Sequence, residues 1–151
     1  MIKGIRRVSV AVRNLDDAMR FYVDALGLAI ESELNLTGRE LKLVRLGAGD
    51  REIELMQPTA TDTPVARFIA AHGEGLHHIS LEVEDIELEM RTLMARGAEF
   101  LDQTPRDGPD GRMAFISPRS TAGVLIELFE PSDANGPEPG EASSSEVGDE
   151  G

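Results

Sequence analysis

Two stretches of the chain read almost as one: Arg7-Val8-Ser9-Val10-Ala11-Val12-Arg13-Asn14-Leu15 and His78-Ile79-Ser80-Leu81-Glu82-Val83-Glu84-Asp85-Ile86. Each opens on a basic side chain, alternates, and ends at an Asn or Asp before an apolar residue. Alternation of this length is the period of a strand with one packed face. Asn14 and Asp85 suit a helix N-cap, where the side-chain oxygen takes an orphan N–H of the first turn. The correspondence continues through Met19 with Met90, Arg20 with Arg91, and Gly27 near Gly97. Arg51-Glu52-Ile53-Glu54-Leu55-Met56-Gln57-Pro58 likewise matches Val124-Leu125-Ile126-Glu127-Leu128-Phe129-Glu130-Pro131. Such self-similarity predicts one structural unit used twice.

Working outward, each unit reads as strand, helix, then three strands. In the first, a strand over Ile5–Val12 leads into a helix carried by Leu15, Ala18, Met19, Tyr22, Ala25 and Leu26, closed by Gly27. Strands are expected at Ala29–Leu36, Glu40–Leu46 and Arg51–Met56, the last two joined by the turn Gly47-Ala48-Gly49-Asp50. Thr63 and Pro64 look like an N-cap and first helical residue, starting a linking helix that ends near Gly73 or Gly75. In the second, a strand over His78–Val83 precedes a helix over Ile86–Ala95 and strands at Phe100, Arg112–Ile116 and Val124–Phe129. Between them lies a long polar loop, Asp102 to Gly111, of the kind that often carries binding function. The expected fold is α+β: two paired β-α-β-β-β modules, about 5–58 and 76–131, with a linking helix at about 63–72. They make a single domain over 1–131.

The bulk composition narrows the partners. The chain has 151 residues and a net charge of −13. Its last twenty residues hold six acidic side chains and no basic one, in a Ser, Gly and Pro background. That composition predicts a disordered acidic tail over 132–151. An acidic body repels phosphate backbones, so nucleic acid is not an expected partner. There is no cysteine, which removes disulfides and thiolate metal sites. No window has the length of a membrane span, and the first residues lack a signal-peptide pattern. The expectation is a soluble cytoplasmic protein.

The repeat also says which polar residues should meet. Arg7 and His78 open equivalent strands. Glu54 and Glu127 each sit between Ile and Leu in equivalent strands that otherwise read apolar. Two modules facing each other would gather these four; the alternative is that the glutamates point to solvent on an open face.

Gly73-Glu74-Gly75-Leu76-His77-His78-Ile79, Pro118-Arg119-Ser120-Thr121 and Gly123-Val124-Leu125-Ile126-Glu127-Leu128 resemble the vicinal oxygen chelate superfamily of glyoxalases, bleomycin resistance proteins and dioxygenases. The likeness spans about residues 5–130 and, within that superfamily, is to the methylmalonyl-CoA epimerase family. It implies paired modules curling round a divalent metal (cobalt, manganese, zinc or nickel) and a homodimer. The implied ligand positions are Arg7, Glu54, His78 and Glu127, with His77 beside the site on the other side of its strand or in the turn. The departure is Arg7, where the family has histidine, because a guanidinium cannot ligate a cation. Three readings follow: Glu54, His78 and Glu127 hold the metal alone; Arg7 lies between Glu54 and Glu127 in its place; or Arg7 turns outward. A second family glutamate falls on Leu41, with Glu40 one position off.

The resemblance implies epimerisation of methylmalonyl-CoA or a related acyl-CoA through an enolate, with Glu127 or Glu54 moving the proton. Arg7 would meet the substrate carboxylate or enolate oxygen, and Arg112 and Arg119, with Arg106, the CoA phosphates. A different class on the same fold is a non-catalytic, metal-free binding protein of the resistance type, with the four residues as a buried ionic cluster. A glyoxalase-type lyase or dioxygenase is the third.

Overall fold

The computed structural model describes residues 1–132, so the acidic segment read as a disordered tail lies outside the described residues. One eight-stranded sheet carries the chain, in the order β2-β3-β4-β1-β5-β8-β7-β6. The first module is β1 (Ile2–Ala11), α1 (Leu15–Met19), β2 (Ala29–Leu36), β3 (Leu41–Ala48) and β4 (Arg51–Pro58). The helix α2 (Pro64–His72) links it to β5 (Gly75–Val83), α3 (Ile86–Ala95), β6 (Arg106–Asp107), β7 (Gly111–Ile116) and β8 (Ile126–Pro131). The strand order is the same in each half when read outward from β1 and β5, which pair antiparallel at the seam. The duplication read in the sequence is therefore the architecture of the sheet, which curls round a central cavity.

Alternation assigns the two faces of this sheet. Val10, Val12, Val44, Leu46, Ile53 and Leu55 pack with the first helix, and Val83, Ala114, Ile116 and Leu128 pack with Ile86 and Met90 of α3. Each fully buried aliphatic side chain contributes roughly 1.5–3 kcal/mol. The opposite face of the same strands carries Arg7, Ser9, Arg45, Glu54, His78, Ser80 and Glu127, all of them buried. The sheet thus has an apolar side under the first helix and α3, and a concave side that is polar at the centre and apolar where Ala11, Leu43 and Met56 pack against Val65 and Ile69 of α2.

The caps are as the sequence predicts. Asn14, Thr63 and Asp85 each accept a backbone N–H three residues on. Four details differ. The first helix leaves α geometry after Met19 and widens to a π turn over Arg20–Ala25, with the Leu26 N–H donating to the Phe21 carbonyl. The added residue per turn rotates Ala25 and Leu26 off the packed stripe expected of them, and both are exposed. Phe100 forms a single bridge to Ile116 rather than a strand, and the last strand begins at Ile126. The polar loop contains the two-residue strand β6, paired with Arg112 and Met113.

Candidate functional site

The site grows from the pairing of the strands. The parallel pair β1·β4 sets Ser9 beside Glu54, and the parallel pair β5·β8 sets Ser80 beside Glu127. In each module the serine hydroxyl donates to its glutamate, Ser9 to Glu54 Oε1 at 3.0 Å and Ser80 to Glu127 Oε1 at 2.9 Å. The antiparallel seam then faces Ser9 with His78 and Arg7 with Ser80. Arg7, Glu54, His78 and Glu127 all line one cavity of about 560 Å³, as the repeat requires. The solvated-glutamate alternative is ruled out, since both carboxylates are about 5% exposed.

A residue given no role by the motifs dominates the first half. Hairpin register places Arg45 of β3 opposite Glu54 of β4. Its Nε donates to Glu54 Oε2 at 3.0 Å, and one terminal nitrogen donates to Asp110 Oδ2 at 2.6 Å. Arg7 does not lie between the two glutamates, nor does it turn outward. It is 3% exposed, and its NH2 group reaches Asp110 Oδ2 at 3.3 Å and Glu52 Oε1 at 3.5 Å. Its guanidinium lies 4.9 Å from the centre of the Phe129 ring, a favourable cation–π arrangement. Gly111 leaves room for that ring, since a Cβ there would meet it at 2.8 Å.

The second half has no such cation. The residue opposite Glu127 is Phe115, which packs edge-on against His78 with ring centres 5.4 Å apart. Glu127 Oε2 lies 3.6 Å from His78 Nε2. Burial, and then the Glu54 charge, push the Glu127 carboxyl up to about 7, against the opposing pull of Ser80, Arg7 and Arg45. Burial pushes the His78 imidazole down to about 3, helped by His77 and Arg7. The His78–Glu127 contact is therefore not an ion pair at neutral pH: the imidazole is uncharged.

Strict alternation puts His77 outside the site. It also lines the cavity, with its Nδ1 2.9 Å from His78 Nδ1 and its ring against Phe68. The cause is an irregularity at the seam, where the register jumps from Ser9↔His78 to Val10↔Leu76 and leaves His77 unpaired. Burial lowers its pKa also. Leu41 and Glu40 both line the cavity, but the Glu40 carboxylate is turned to the Thr59 hydroxyl at 3.3 Å.

The expected substrate contacts Arg112 and Arg119 are elsewhere. Arg112 alternates to the helix side of β7 and binds Glu87 and Glu130 at 2.9 and 2.8 Å. Arg119 is exposed and does not line the cavity. The arginines at the cavity mouth are Arg39 and Arg106.

These side chains, as they stand, do not fit the divalent metal implied for Glu54, His78 and Glu127. Both oxygens of Glu54 already accept hydrogen bonds, one from a guanidinium. Glu127 gives one oxygen to Ser80, and Arg7 stands at the fourth ligand position. A dication here would face two fixed cations at close range, each repelling it in a low-dielectric interior. Among the described residues, no three His, Asp or Glu side chains form a set that could hold an ion.

Comparison with known proteins agrees with this architecture. Residues 6–116 match the model of the Glyoxalase/Bleomycin resistance protein/Dioxygenase superfamily. The chain is 36% identical over 125 residues to YqjC of Bacillus subtilis, an uncharacterised protein, covering 82% of this chain and 89% of that one. It is 33% identical over 131 residues to the mitochondrial methylmalonyl-CoA epimerase of Dictyostelium discoideum, covering 85% and 79%. The crystal structure of methylmalonyl-CoA epimerase from Mycobacterium tuberculosis superposes with a TM-score of 0.81 at 30% identity, over 87% of this chain and 89% of that one. The chain belongs to the glyoxalase/bleomycin resistance protein/dioxygenase superfamily, and within it resembles the methylmalonyl-CoA epimerases.

Proposed function

We propose that the protein epimerises methylmalonyl-CoA, or a closely related 2-substituted malonyl thioester, by removing and returning the proton between its thioester and carboxylate. The observation that carries this reading is Glu127. It is a buried carboxylate at the cavity wall, its second oxygen is not bound by a cation, and its pKa of about 7 suits a general base at neutral pH. The names of the relatives supply the substrate class. Ionised Glu127 takes the C2 proton, and the C–H electron pair moves towards the thioester oxygen. The enolate charge then lies in a cavity walled by Arg7 and Arg45, whose N–H donors suit a developing oxyanion. The enolate turns to present its other face to Glu127 before the proton returns, and that reorientation completes the inversion.

Glu54 also lines the cavity, but Ser9 and Arg45 hold it as a fixed carboxylate. It orients Arg45 and raises the basicity of Glu127, which acts as the single proton shuttle. The neutral His77–His78 pair packs beside Glu127 and keeps water from it. Arg39 and Arg106 at the mouth are placed to meet the phosphates of an acyl-CoA. A homodimer belongs to the same proposal and rests on the resemblance alone; a cytoplasmic location belongs to it as an expectation from the sequence pattern. No helix among the described residues is long and apolar enough to cross a membrane.

The test is to incubate the protein with methylmalonyl-CoA of one configuration in deuterium oxide. Deuterium should enter C2 as the configuration inverts, and a single shuttle should return part of the original proton. No incorporation, with or without added divalent ions, would end the catalytic reading in favour of a binding protein.

A further inference from the structure

Asp110 is the unexpected member of the cluster. It comes from the far end of the polar loop, yet its carboxylate touches both buried guanidinium groups of the first half. Oδ2 accepts from Arg45 at 2.6 Å and from Arg7 at 3.3 Å, and Oδ1 lies 3.4 Å from Arg45 NH2. Asp110 is also the most accessible group in the cluster, with its side chain 34% exposed against 3% for Arg7 and 9% for Arg45. The neighbouring Pro109 lines the cavity.

The arginines are incompletely used. Arg7 makes its hydrogen bonds through one terminal nitrogen only, at long distances, and its buried Nε has no hydrogen-bond partner. A guanidinium has five N–H donors. Arg45 is committed to Glu54 through Nε, which leaves its two terminal nitrogens to Asp110. Two buried cations thus share one carboxylate, the most exposed group of the cluster.

We propose that Arg7 and Arg45 form a metal-free clamp for the anionic end of the ligand, and that Asp110 fills this clamp until the ligand displaces it. The class of ligand is a malonate-type carboxylate, which presents the same two oxygens as Asp110. The inference rests on the epimerase reading for what the ligand is, but not for the clamp itself. Glu54 braces Arg45 from behind, and Phe129 supports Arg7 from below. Displacement exchanges one carboxylate for another on the same donors, so neither buried guanidinium is left without a counter-charge.

Malonate is the probe, with binding followed by calorimetry on the full chain after chelator treatment. The unmodified protein should bind it without metal. Arg45→Gln should weaken binding about ten- to a hundredfold, the range expected for losing charged hydrogen bonds. Arg45→Gln leaves Glu54 unpaired and threatens folding, so the Arg45→Gln/Glu54→Gln double variant, which removes both charges together, serves as the second protein in which the same loss is read. Asp110→Asn is the discriminating variant. It should bind malonate severalfold more tightly, because the internal competitor is gone, whereas weaker binding would mean that Asp110 merely braces the arginines and would overturn the proposal. Metal content gives the other arm. Retention of about one cobalt, manganese or zinc ion per chain, with malonate binding that depends on it, would also overturn the clamp. Malonate binding through Arg45 in a protein that exchanges no deuterium into methylmalonyl-CoA would keep the clamp and remove the epimerase reading.

Discussion

The two halves of this molecule repeat each other down to a single hydrogen bond, and differ in the one residue that faces each glutamate. Ser9 donates to Glu54 and Ser80 donates to Glu127 at nearly the same distance. Opposite Glu54 stands Arg45; opposite Glu127 stands Phe115. A guanidinium binds the first carboxylate at 3.0 Å. An aromatic ring gives the second no counter-charge, so burial raises its pKa into the physiological range. Two groups of the same chemistry are thereby assigned different work by their surroundings, and the pair can be read as one structural carboxylate and one base.

The largest expected effect breaks this comparison at its chemical end. Glu127→Gln should lower deuterium exchange into methylmalonyl-CoA by roughly 10²–10⁴-fold, the usual value of a positioned base. Glu54→Gln should cost distinctly less. Equal losses, measured by mass spectrometry of the recovered thioester, would mean that both carboxylates handle the proton.

At the structural end the order reverses. Arg45→Met strands a buried carboxylate and should destabilise the fold by about 3–5 kcal/mol in urea unfolding. Adding Glu54→Gln should restore much of that. Phe115→Leu, at the equivalent place, leaves no charge unpaired and should cost no more than about 1.5 kcal/mol.

A third prediction uses pH. Folded Glu127 holds its proton to about 7, against 4.5 for an ordinary carboxyl, so its contribution to stability is complete below 4.5 and lost as pH rises towards 7. His78 runs the other way, at about 3 against 6.5, and its contribution is complete above 6.5 and lost as pH falls towards 3. The two oppose one another between 4.5 and 6.5. Glu127→Gln leaves His78 unopposed, so across that window the variant should gain about 3 kcal/mol of stability relative to the unmodified protein. Parallel curves from urea unfolding at stepped pH would contradict the assignment.

The smallest effect concerns the serines. Ser80 is the principal group holding the Glu127 pKa down. Ser80→Ala should therefore move the midpoint of the exchange–pH profile upward. Ser9→Ala acts on the glutamate already fixed by Arg45 and should leave that midpoint nearly in place.

The fold is legible because the repeat is written in residue character as well as in periodicity. Matching Arg7 to Leu15 with His78 to Ile86 gives the seam, and matching Glu54 with Glu127 gives the two carboxylates. The role of Arg45 is not in any motif, yet its place can be counted. The hairpin turns at Gly49-Asp50, and counting outward from there sets Arg45 opposite Glu54, where the longer turn Gly47-Ala48-Gly49-Asp50 would set it opposite Glu52; alternation puts it on the Leu41–Leu43 face in either case. The same counting puts Arg112 on the outer face of its strand, away from substrate. Asp110 is not legible, because it meets Arg7 across 103 residues of sequence from within an irregular loop. His77 enters the cavity through a strand irregularity that alternation does not foresee. What stays hidden is tertiary: which carboxylate a loop brings to a site, and where a strand loses register.

The central claim is that Glu127 carries the raised carboxyl pKa, while Glu54 is held by Ser9 and Arg45. Carbon NMR of the glutamate side-chain carboxyls, followed from about pH 4 to 9 to bracket the raised value, tests it directly. One carboxyl should titrate near 7 and vanish in Glu127→Gln. In Glu54→Gln it should persist at a lower midpoint, since the neighbouring charge that raises it is gone. The account is contradicted if no carboxyl titrates above about 5, near the ordinary carboxylate range, or if the elevated signal belongs to Glu54.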